Sequence, residues 1–341
     1  MFLGNSSEGP KGTGGAYDPS PIDIFVVRTI LCRSKRLPPD IVDVIFDHAG
    51  YWAHSTNQID YMEEHKNPLR ITGTGKKENK FLLRSIPVGL TTIDDRKNLA
   101  EELAYDTNES IPRPLKTELD PSLFKSLAKY PTPELTHPVR KVVFTVKSRD
   151  QGWGGDRNRG DKQYAGSWTW FEAGLERFDR EQTCESPSKW IGLSALTQVG
   201  EPHCTSDLRY NSPKSPEPSL PLCGLRPVQP TIQQPSGEDV SKYEYNHPLL
   251  SHDKYTIQRN KTANRQWQYN VVTWSWDDNV DPASEEAKKL DENEGRGKAS
   301  ATGEFVRSLK LGDVVTIWGK ARFPGWTNQV EKVKIDIYWA V

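Results

Sequence analysis

Two short segments of this 341-residue chain place a pair of tryptophans around one intervening residue, with acidic residues close behind. The first pair is Trp168 and Trp170, and the second is Trp274 and Trp276. In a β-strand, residues two apart point to the same face, so each pair would stand side by side on one surface. Flat rings beside carboxylates suit the binding of a sugar or a peptide. The alternative is that both pairs lie in the core, because tryptophan is highly buried on average.

A second candidate site is the glycine-rich segment that follows a run of β-branched residues. It contains Arg149, Asp150 and Trp153, with glycines on both sides of the tryptophan. Glycines allow unusual backbone dihedral angles, and the polar side chains could face a ligand at the rim of a sheet. The same residue types also fit a tight turn, in which Arg149 pairs with an acid and Trp153 covers the end of the sheet.

The sequence offers no arrangement suited to catalysis or to metal binding. The seven histidines include no His-x-His or His-x-x-x-His pair, and the four cysteines include no Cys-x-x-Cys pair. His203 and Cys204 are adjacent, but they lie in a proline-rich stretch without a rigid scaffold for a nucleophile and its base. We therefore expect reduced thiols, no metal, no cofactor and no enzymatic activity.

Composition excludes several classes of partner. Lys and Arg number 45 against 46 Asp and Glu, so no global field attracts the protein to nucleic acid or to acidic lipid. No run of about 18 apolar residues is present, and the segment Met1–Gly15 has no apolar signal-peptide core. The expectation is a protein of the cytoplasm or nucleus that binds neither nucleic acid nor membrane.

Two short amphipathic helices are predicted near the N-terminus. Apolar residues recur at helical spacing on both sides of the segment Leu37-Pro38-Pro39-Asp40. Helices of this length are unstable alone, so their apolar faces must pack against the rest of the chain or against another protein. The predicted contact faces are Ile22, Phe25, Val26 and Ile30 in the first helix, and Ile41, Ile45, Ala49 and Trp52 in the second.

Most of the remaining apolar residues form runs typical of strands. The last run alternates strictly, which predicts that Val333, Ile335, Ile337 and Trp339 face a core. Many strands, few helices and large loops predict a mainly β protein: an antiparallel, jelly-roll-like β-sandwich with a short N-terminal helical segment and long loop insertions.

The predicted organisation has three parts. Residues 1–20 are small and polar and form a flexible tail, residues 21–65 form the helical segment, and residues 66–341 form the sandwich. Insertions are expected at about 92–138 and about 196–254. Within the second insertion, the proline-rich stretch Pro202–Pro235 is expected to lie outside the sandwich.

The segment Leu37–Ile45 resembles the first helix of an F-box, which opens with Leu-Pro and continues as an acidic helix rich in Ile or Leu. The resemblance implies that Leu37, Ile41 and Ile45 form a docking surface for a cullin-ligase adaptor. It also implies that the chain is a substrate adaptor of a ubiquitin ligase.

Several tryptophan- and glycine-containing blocks resemble those of a family of uncharacterised filamentous-fungal proteins. These blocks are Arg140–Phe144, Ser148–Gly155, Gln258–Thr262 and Leu309–Trp326. The resemblance covers most of the chain and implies a fungal origin, but it brings no established activity.

Three hypotheses follow for function. The first is a non-enzymatic binding protein, in which the N-terminal helices recruit a second protein. The second is a carbohydrate-binding module lined by the paired tryptophans, and the third is an enzyme of unknown type. Exposure of the tryptophans in one cleft would favour the second hypothesis, whereas their burial would weaken it.

Overall fold

Two five-stranded antiparallel sheets face each other across a shared apolar core. The computed structural model describes residues 18–91, 112–128, 130–155, 162–181, 225–235 and 243–341. Together with the few short helices, this arrangement confirms the prediction of a mainly β, antiparallel β-sandwich with a short helical segment.

The first sheet has the order β1-β12-β4-β10, and β2 pairs with β12 beside β1. Its strands are β1 (Ala53–Asp60), β2 (Leu69–Thr72), β4 (Val139–Arg149), β10 (Gln268–Ser275) and β12 (Thr327–Trp339). The second sheet has the order β3-β11-β5-β6, and β9 also pairs with β5. Its strands are β3 (Asn79–Arg84), β5 (Thr169–Phe178), β6 (Leu225–Gln229), β9 (Thr256–Arg259) and β11 (Val314–Ala321).

Short elements connect or flank these sheets. A small separate hairpin pairs β7 (Ile232–Gln233) with β8 (Glu244–Tyr245). The α-helices are α1 (Pro21–Ser34), α2 (Pro39–Ala49), α3 (Tyr61–His65), α4 (Pro121–Leu127), α5 (Glu285–Lys289) and α6 (Glu304–Arg307). A 3₁₀ turn spans Gly75–Lys77, and a π-helical turn, Leu290–Glu294, continues α5.

The core follows from the period-two patterning of the strands. In β12, the predicted residues Val333, Ile335, Ile337 and Trp339 are all buried, which confirms the predicted face. Their neighbours on β4 alternate in the same way, because residues two apart in a strand share one side of the sheet.

Strand β1 lies inside the range that the sequence predicted to be helical. It pairs with β12 along its whole length, so the prediction of a helical segment through residue 65 is corrected. The reason is that two of its inward positions are polar, Ser55 and Asn57. The buried Asn57 side chain donates from Nδ2 to the carbonyl oxygen of Arg84, 2.7 Å away, so the strand lacks the apolar alternation that would reveal it.

Strand β6 corrects a second expectation, that the stretch Pro202–Pro235 lies outside the sandwich. Residues Leu225–Gln229 extend the second sheet by pairing with β5. Pro227 is tolerated there because β6 is an edge strand, where a missing N–H costs no ladder hydrogen bond. Residues 1–17 of the predicted tail and residues 202–224 lie outside the described part of the chain.

The outer face of the second sheet carries a buried cluster of charged and aromatic side chains. Lys320 is buried between Glu172, whose Oε2 lies 2.8 Å from Nζ, and His247, whose Nδ1 lies 2.9 Å away. The Trp170 indole donates to Oε1 of the same glutamate at 2.7 Å. Burial, together with the nearby cations Lys320 and Arg322, lowers the pKa of His247 to about 2, so the imidazole is neutral and accepts from the lysine.

We expect Ile335→Asp to destabilise the protein strongly. The substitution places a carboxylate in a position with almost no contact with water, and unpaired charges in such sites cost several kcal/mol, here about 4 kcal/mol. Chemical denaturation followed by tryptophan fluorescence measures the loss. An Ile335→Asp variant as stable as the wild type would show that this face of β12 is not a core.

We expect His247 to make stability depend on pH. Its pKa is about 2 in the folded state and about 6.5 when unfolded, so below pH 6.5 only the unfolded chain takes up the proton. The stability that this residue contributes is complete above about pH 6.5 and falls by about 1.4 kcal/mol per pH unit below it. Between pH 7 and pH 5, the wild type should lose about 2 kcal/mol more than His247→Gln in denaturant unfolding. Equal losses would contradict the buried, neutral imidazole.

Candidate functional site

Three connections meet at one end of the sandwich, which we call the loop end. They are the connection from β4 to β5, of which the loop end includes residues 150–155 and 163–168, the connection from β9 to β10, residues 260–267, and the connection from β11 to β12 with the first residue of β12, residues 322–327. The connections touch one another directly: the backbone N–H of Thr327 donates to Oε1 of Gln151 at 3.0 Å, and that of Thr262 donates to the carbonyl oxygen of Gln163 at 2.8 Å. The conformation of each loop is therefore fixed in part by its hydrogen bonds to the other loops.

Asp150 holds two of these loops together through backbone hydrogen bonds. Its buried carboxylate accepts from the backbone N–H groups of Gly152 at 2.7 Å, Ala263 at 2.6 Å and Asn264 at 2.9 Å. The sequence predicted Asp150 as a ligand-binding candidate. Because both of its oxygens accept from backbone N–H groups of two connections, Asp150 fixes the position of these loops.

A buried polar network joins the two sheets beneath the loop end. Ser148 Oγ donates to Asn260 Oδ1 at 2.7 Å, and Asn260 Nδ2 donates to Asn328 Oδ1 at 2.9 Å and to Thr169 Oγ1 at 3.0 Å. All of these side chains are buried. The sequence analysis did not predict this network. The only sign of it in the sequence is the presence of polar residues at or next to the ends of the apolar strands.

Trp153 is the most exposed aromatic side chain of the loop end, with 57 % of its surface accessible. Its backbone is fixed by Gln151, whose Nε2 donates to the Trp153 carbonyl at 2.6 Å. Its ring rests on Gly325, where an added Cβ would lie 2.6 Å from Trp153 Cη2. A rigid support thus presents an apolar ring to solvent.

Arg149 also lies at this end of the sandwich, at the end of β4, and is held by neighbours from two segments, residues 260–267 and β12. Its guanidinium stacks 4.3 Å from the ring centre of Trp267 and donates to Gln329 Oε1 from Nε and Nη2, at 3.2 and 3.0 Å. Nη1 donates to the carbonyl of Arg265 at 3.2 Å. Among the residues that the structure describes, no acid pairs with Arg149, which differs from the simple-turn interpretation; its partners there are a ring, an amide oxygen and a backbone carbonyl.

The paired tryptophans do not form a common platform, which corrects that hypothesis. Trp170 and Trp274 are fully buried, on strands of different sheets. Trp274 lies in the core, 4.9 Å from the ring of Phe144, whereas Trp170 belongs to the charged cluster outside the second sheet. Trp168 and Trp276, the half-buried members of the two pairs, are separated as well.

Of those partners, only Trp168 belongs to the loop end. Its ring meets Phe323 edge-on, with ring centres 4.5 Å apart. Trp276 is half-buried at the other end of β10, where the Arg140 guanidinium lies 4.3 Å from its ring centre. The structure thus brings Trp168, Arg149 and Trp153 to one end of the sandwich and excludes Trp170, Trp274 and Trp276 from it.

The opposite end of the sandwich carries α1 and α2, which pack through Ile24, Val42 and Phe46. The Arg28 guanidinium ties the two helices to the end of the chain, because it pairs with Asp43 and donates to the carbonyl of Val341 at 2.9 Å. Of the predicted contact faces, only Trp52 meets the sandwich: it is half-buried, and Nζ of Lys141 in β4 lies 5.6 Å from its ring centre. The other predicted contact residues, Ala49 among them, are exposed, so for them the prediction of contact with the sandwich is wrong.

Six large apolar residues of the predicted faces are exposed, and so is Val44, which the prediction did not include. We call these seven residues the helix-end apolar surface: Ile22 (55 % exposed), Phe25 (51 %), Val26 (48 %), Ile30 (50 %), Ile41 (45 %), Val44 (51 %) and Ile45 (40 %). Of the three predicted docking residues, Ile41 and Ile45 are exposed, while Leu37 is half-buried against the core. An ordinary surface helix places polar residues on its outward arc, so apolar side chains on both arcs are unusual.

No protein-family model, curated protein or solved structure matches this chain. Among the helices of the described residues, none has the length and apolar character needed to cross a bilayer. The same residues contain no group of three or more His, Cys, Asp and Glu side chains placed to hold a metal ion. Cys32 is a free thiol, and the adjacent His203 and Cys204 lie outside the described residues.

Proposed function

We propose that this protein is a non-enzymatic interaction protein whose helix-end apolar surface binds a second protein. The observation that supports the proposal is the row of seven large apolar side chains, each 40–55 % exposed, on the outward arcs of α1 and α2. Single exposed apolar residues are normal on proteins, but a contiguous spacing of i, i+3 and i+4 along both helices is typical of a helix face that docks into a groove.

The energetics favour a protein partner for this surface. Fully burying one isoleucine, valine or phenylalanine side chain contributes about 1.5–3 kcal/mol, and these side chains are already about half-covered by their own helices. A partner that covers several of them therefore gains enough to offset part of the entropy lost on association. The helices need no reordering for this, because Arg28 and Asp43 already fix one against the other.

The F-box resemblance makes a cullin-ligase adaptor the partner that we propose. Two of the three residues that the resemblance assigns to docking, Ile41 and Ile45, are accessible on α2. Only three residues separate the end of α2 from β1, so a protein bound to α2 would be held rigidly relative to the sandwich. That geometry suits a substrate adaptor of a ubiquitin ligase, with the loop end free to meet the substrate.

Binding of a small ligand, such as a sugar, at the loop end is the second candidate function. It is supported by the exposed ring of Trp153 and by the stacked pair of Arg149 and Trp267, which lie at the same end of the sandwich. Aromatic rings on a rigid scaffold give a large contact area at low entropy cost. This version of the carbohydrate hypothesis no longer includes Trp170, Trp274 or Trp276.

We expect Ile41→Lys to abolish binding of the adaptor without unfolding the protein. Because Ile41 is exposed, the melting temperature of the variant should stay within about 2 °C of that of the wild type. The affinity of the variant for the purified adaptor, measured by pull-down, should fall by about tenfold or more. Met62→Lys in α3 is the matched control, since Met62 is an apolar residue of similar exposure (40 %, against 45 % for Ile41) outside the helix-end apolar surface.

The same variants test the broader proposal with partners from a cell extract. Proteins cross-linked to the wild type and to Met62→Lys, but lost with Ile41→Lys and with Phe25→Lys, would identify the partner that uses this surface. The proposal fails if no protein shows this pattern, or if Ile41→Lys lowers the melting temperature as a core substitution does.

We expect Trp153→Ala to remove ligand binding at the loop end with little loss of stability, because the ring is mostly exposed. Titration with a panel of oligosaccharides, followed by calorimetry, measures the effect, which should reach about tenfold in dissociation constant for any sugar that binds. Trp276→Ala, at the opposite end of β10, serves as the control. Equal binding by Trp153→Ala and the wild type would place the sugar site elsewhere.

A further inference from the structure

A short segment lies across the outer face of the second sheet: residues 243–252, which we call the strap. It contains β8 and ends shortly before β9. The rings of Tyr245 and His247 pack against Trp318 of β11, with their centres 4.9 and 4.8 Å from that of the indole. Trp318 follows the core residue Ile317, so it lies on the outer face. Because Trp318 is only 3 % exposed, the strap is part of what covers this face.

Three polar contacts join the strap to the charged cluster beneath it, which consists of Glu172, Lys320 and Arg322. All three charged side chains of the cluster are buried. The contacts are, in chain order, His247 Nδ1 accepting from Lys320 Nζ at 2.9 Å, the Pro248 carbonyl accepting from Arg322 Nη2 at 2.9 Å, and the His252 backbone N–H donating to Glu172 Oε1 at 3.3 Å. The strap is therefore attached to the sheet largely through groups whose charge matters.

The backbone of the strap has few hydrogen bonds of its own. Among the described residues, none of the backbone N–H groups of residues 247–251 donates to a backbone carbonyl. Leu249 and Leu250 are 57 % and 61 % exposed, so they add little apolar packing. Segments with few backbone hydrogen bonds and few buried apolar contacts open at a lower free-energy cost than the whole fold. The strap is thus suited to open while the sandwich stays folded.

The contact between His247 and Lys320 requires a neutral imidazole. A proton on Nδ1 would remove the acceptor and place two cations about 2.9 Å apart. The charged groups that act on the imidazole are Lys320 of β11 and Arg322 just after it, while Glu172 of β5 pairs with Lys320 on its other side. On the strap itself, the ring centre of Tyr245 lies 5.8 Å from that of His247. Burial and the two cations lower the pKa of His247 to about 2.

We propose that the strap is a cover released by acid: protonation of His247 detaches the strap from Lys320 and uncovers the outer face of the second sheet around Trp318. The proton comes from solvent and binds the imidazole of the open strap, where the pKa is about 6.5. The opening equilibrium is therefore constant above about pH 6.5 and rises by about tenfold for each pH unit below it. Between pH 7 and pH 5 the rise is about 25-fold. This device does not depend on partner binding at α1 and α2.

The first test is hydrogen exchange of the full chain by NMR at pH 7 and pH 5, with measured rates divided by the intrinsic rates at each pH. The His252 amide reports on the contact between the strap and Glu172, and the buried Trp318 indole N–H, which donates to Thr316 Oγ1 at 3.1 Å, reports on uncovering of the sheet. We expect the protection factors of both groups to fall by about 25-fold. At both pH values, both groups should exchange faster than the amides of β12, because the strap opens separately from the sandwich.

The second test replaces each of the two histidines of the strap. In His247→Gln, an amide oxygen can still accept from Lys320 but does not titrate, so protection of the Trp318 indole should change by less than about twofold between pH 7 and pH 5. His252→Gln is the matched control, since His252 is exposed and its Nδ1 accepts from the backbone N–H of Lys254. This variant should keep the full pH response of the wild type.

Three results would overturn the proposal. One is an equal loss of protection in the wild type and in His247→Gln. Another is exchange of the strap groups at the rate of the β12 amides at both pH values, because opening would then be unfolding of the whole protein. The third is titration of the wild-type His247 imidazole near pH 6.5 while the Trp318 indole stays protected. This last measurement uses the wild type alone, so it decides the proposal even where His247→Gln does not hold the strap in place.

Discussion

The pairing of β12 with three other strands is the constraint on which both ends of the molecule depend. Its 13 residues bind β4 along one side, and β1 and β2 in succession along the other. Its inward residues supply much of the core, because alternate side chains meet the second sheet. The N-terminal end of β12 follows the loop end, and its C-terminal end leads to Val341, whose carbonyl accepts from Arg28 of α1. The length of β12 therefore sets the distance between the loop end and the helix-end apolar surface.

The loop end shows how polar groups can hold a surface in one shape. Asp150 and Asn260 are buried and satisfied by backbone and side-chain partners from several connections. Buried polar networks of this kind are specific, since any other loop arrangement would leave donors unpaired at a cost of about 1–3 kcal/mol each. The exposed ring of Trp153 is therefore presented in one position, which is what a binding surface requires.

The helix end and the edge strand β10 expose apolar groups in two different ways. At α1 and α2, the exposed groups are side chains only, because the helices satisfy their own backbone hydrogen bonds. Within the described residues, β10 pairs with a strand on one side only, and the side chains of Tyr269 and Val271 are exposed on it. On its other side, Arg296 Nη2 donates to the carbonyl of Thr273 and so satisfies part of that edge.

The sequence by itself determined the fold class, the strands of strict alternation and the two N-terminal helices, since apolar periodicity reports directly on which residues of one element share a face. It did not reveal β1, whose inward Ser55 and Asn57 break the pattern, or β6, which contains Pro227. Only the tertiary structure decided which of the two apolar arcs of α1 packs against the rest of the chain. It also decided that Trp170 is buried whereas Trp168, two residues away, is half-buried at the loop end. Periodicity states that residues share a face, whereas burial depends on what packs against that face. For the same reason, the loop end could be named from Arg149, Asp150 and Trp153, but its assembly from distant connections required the folded chain.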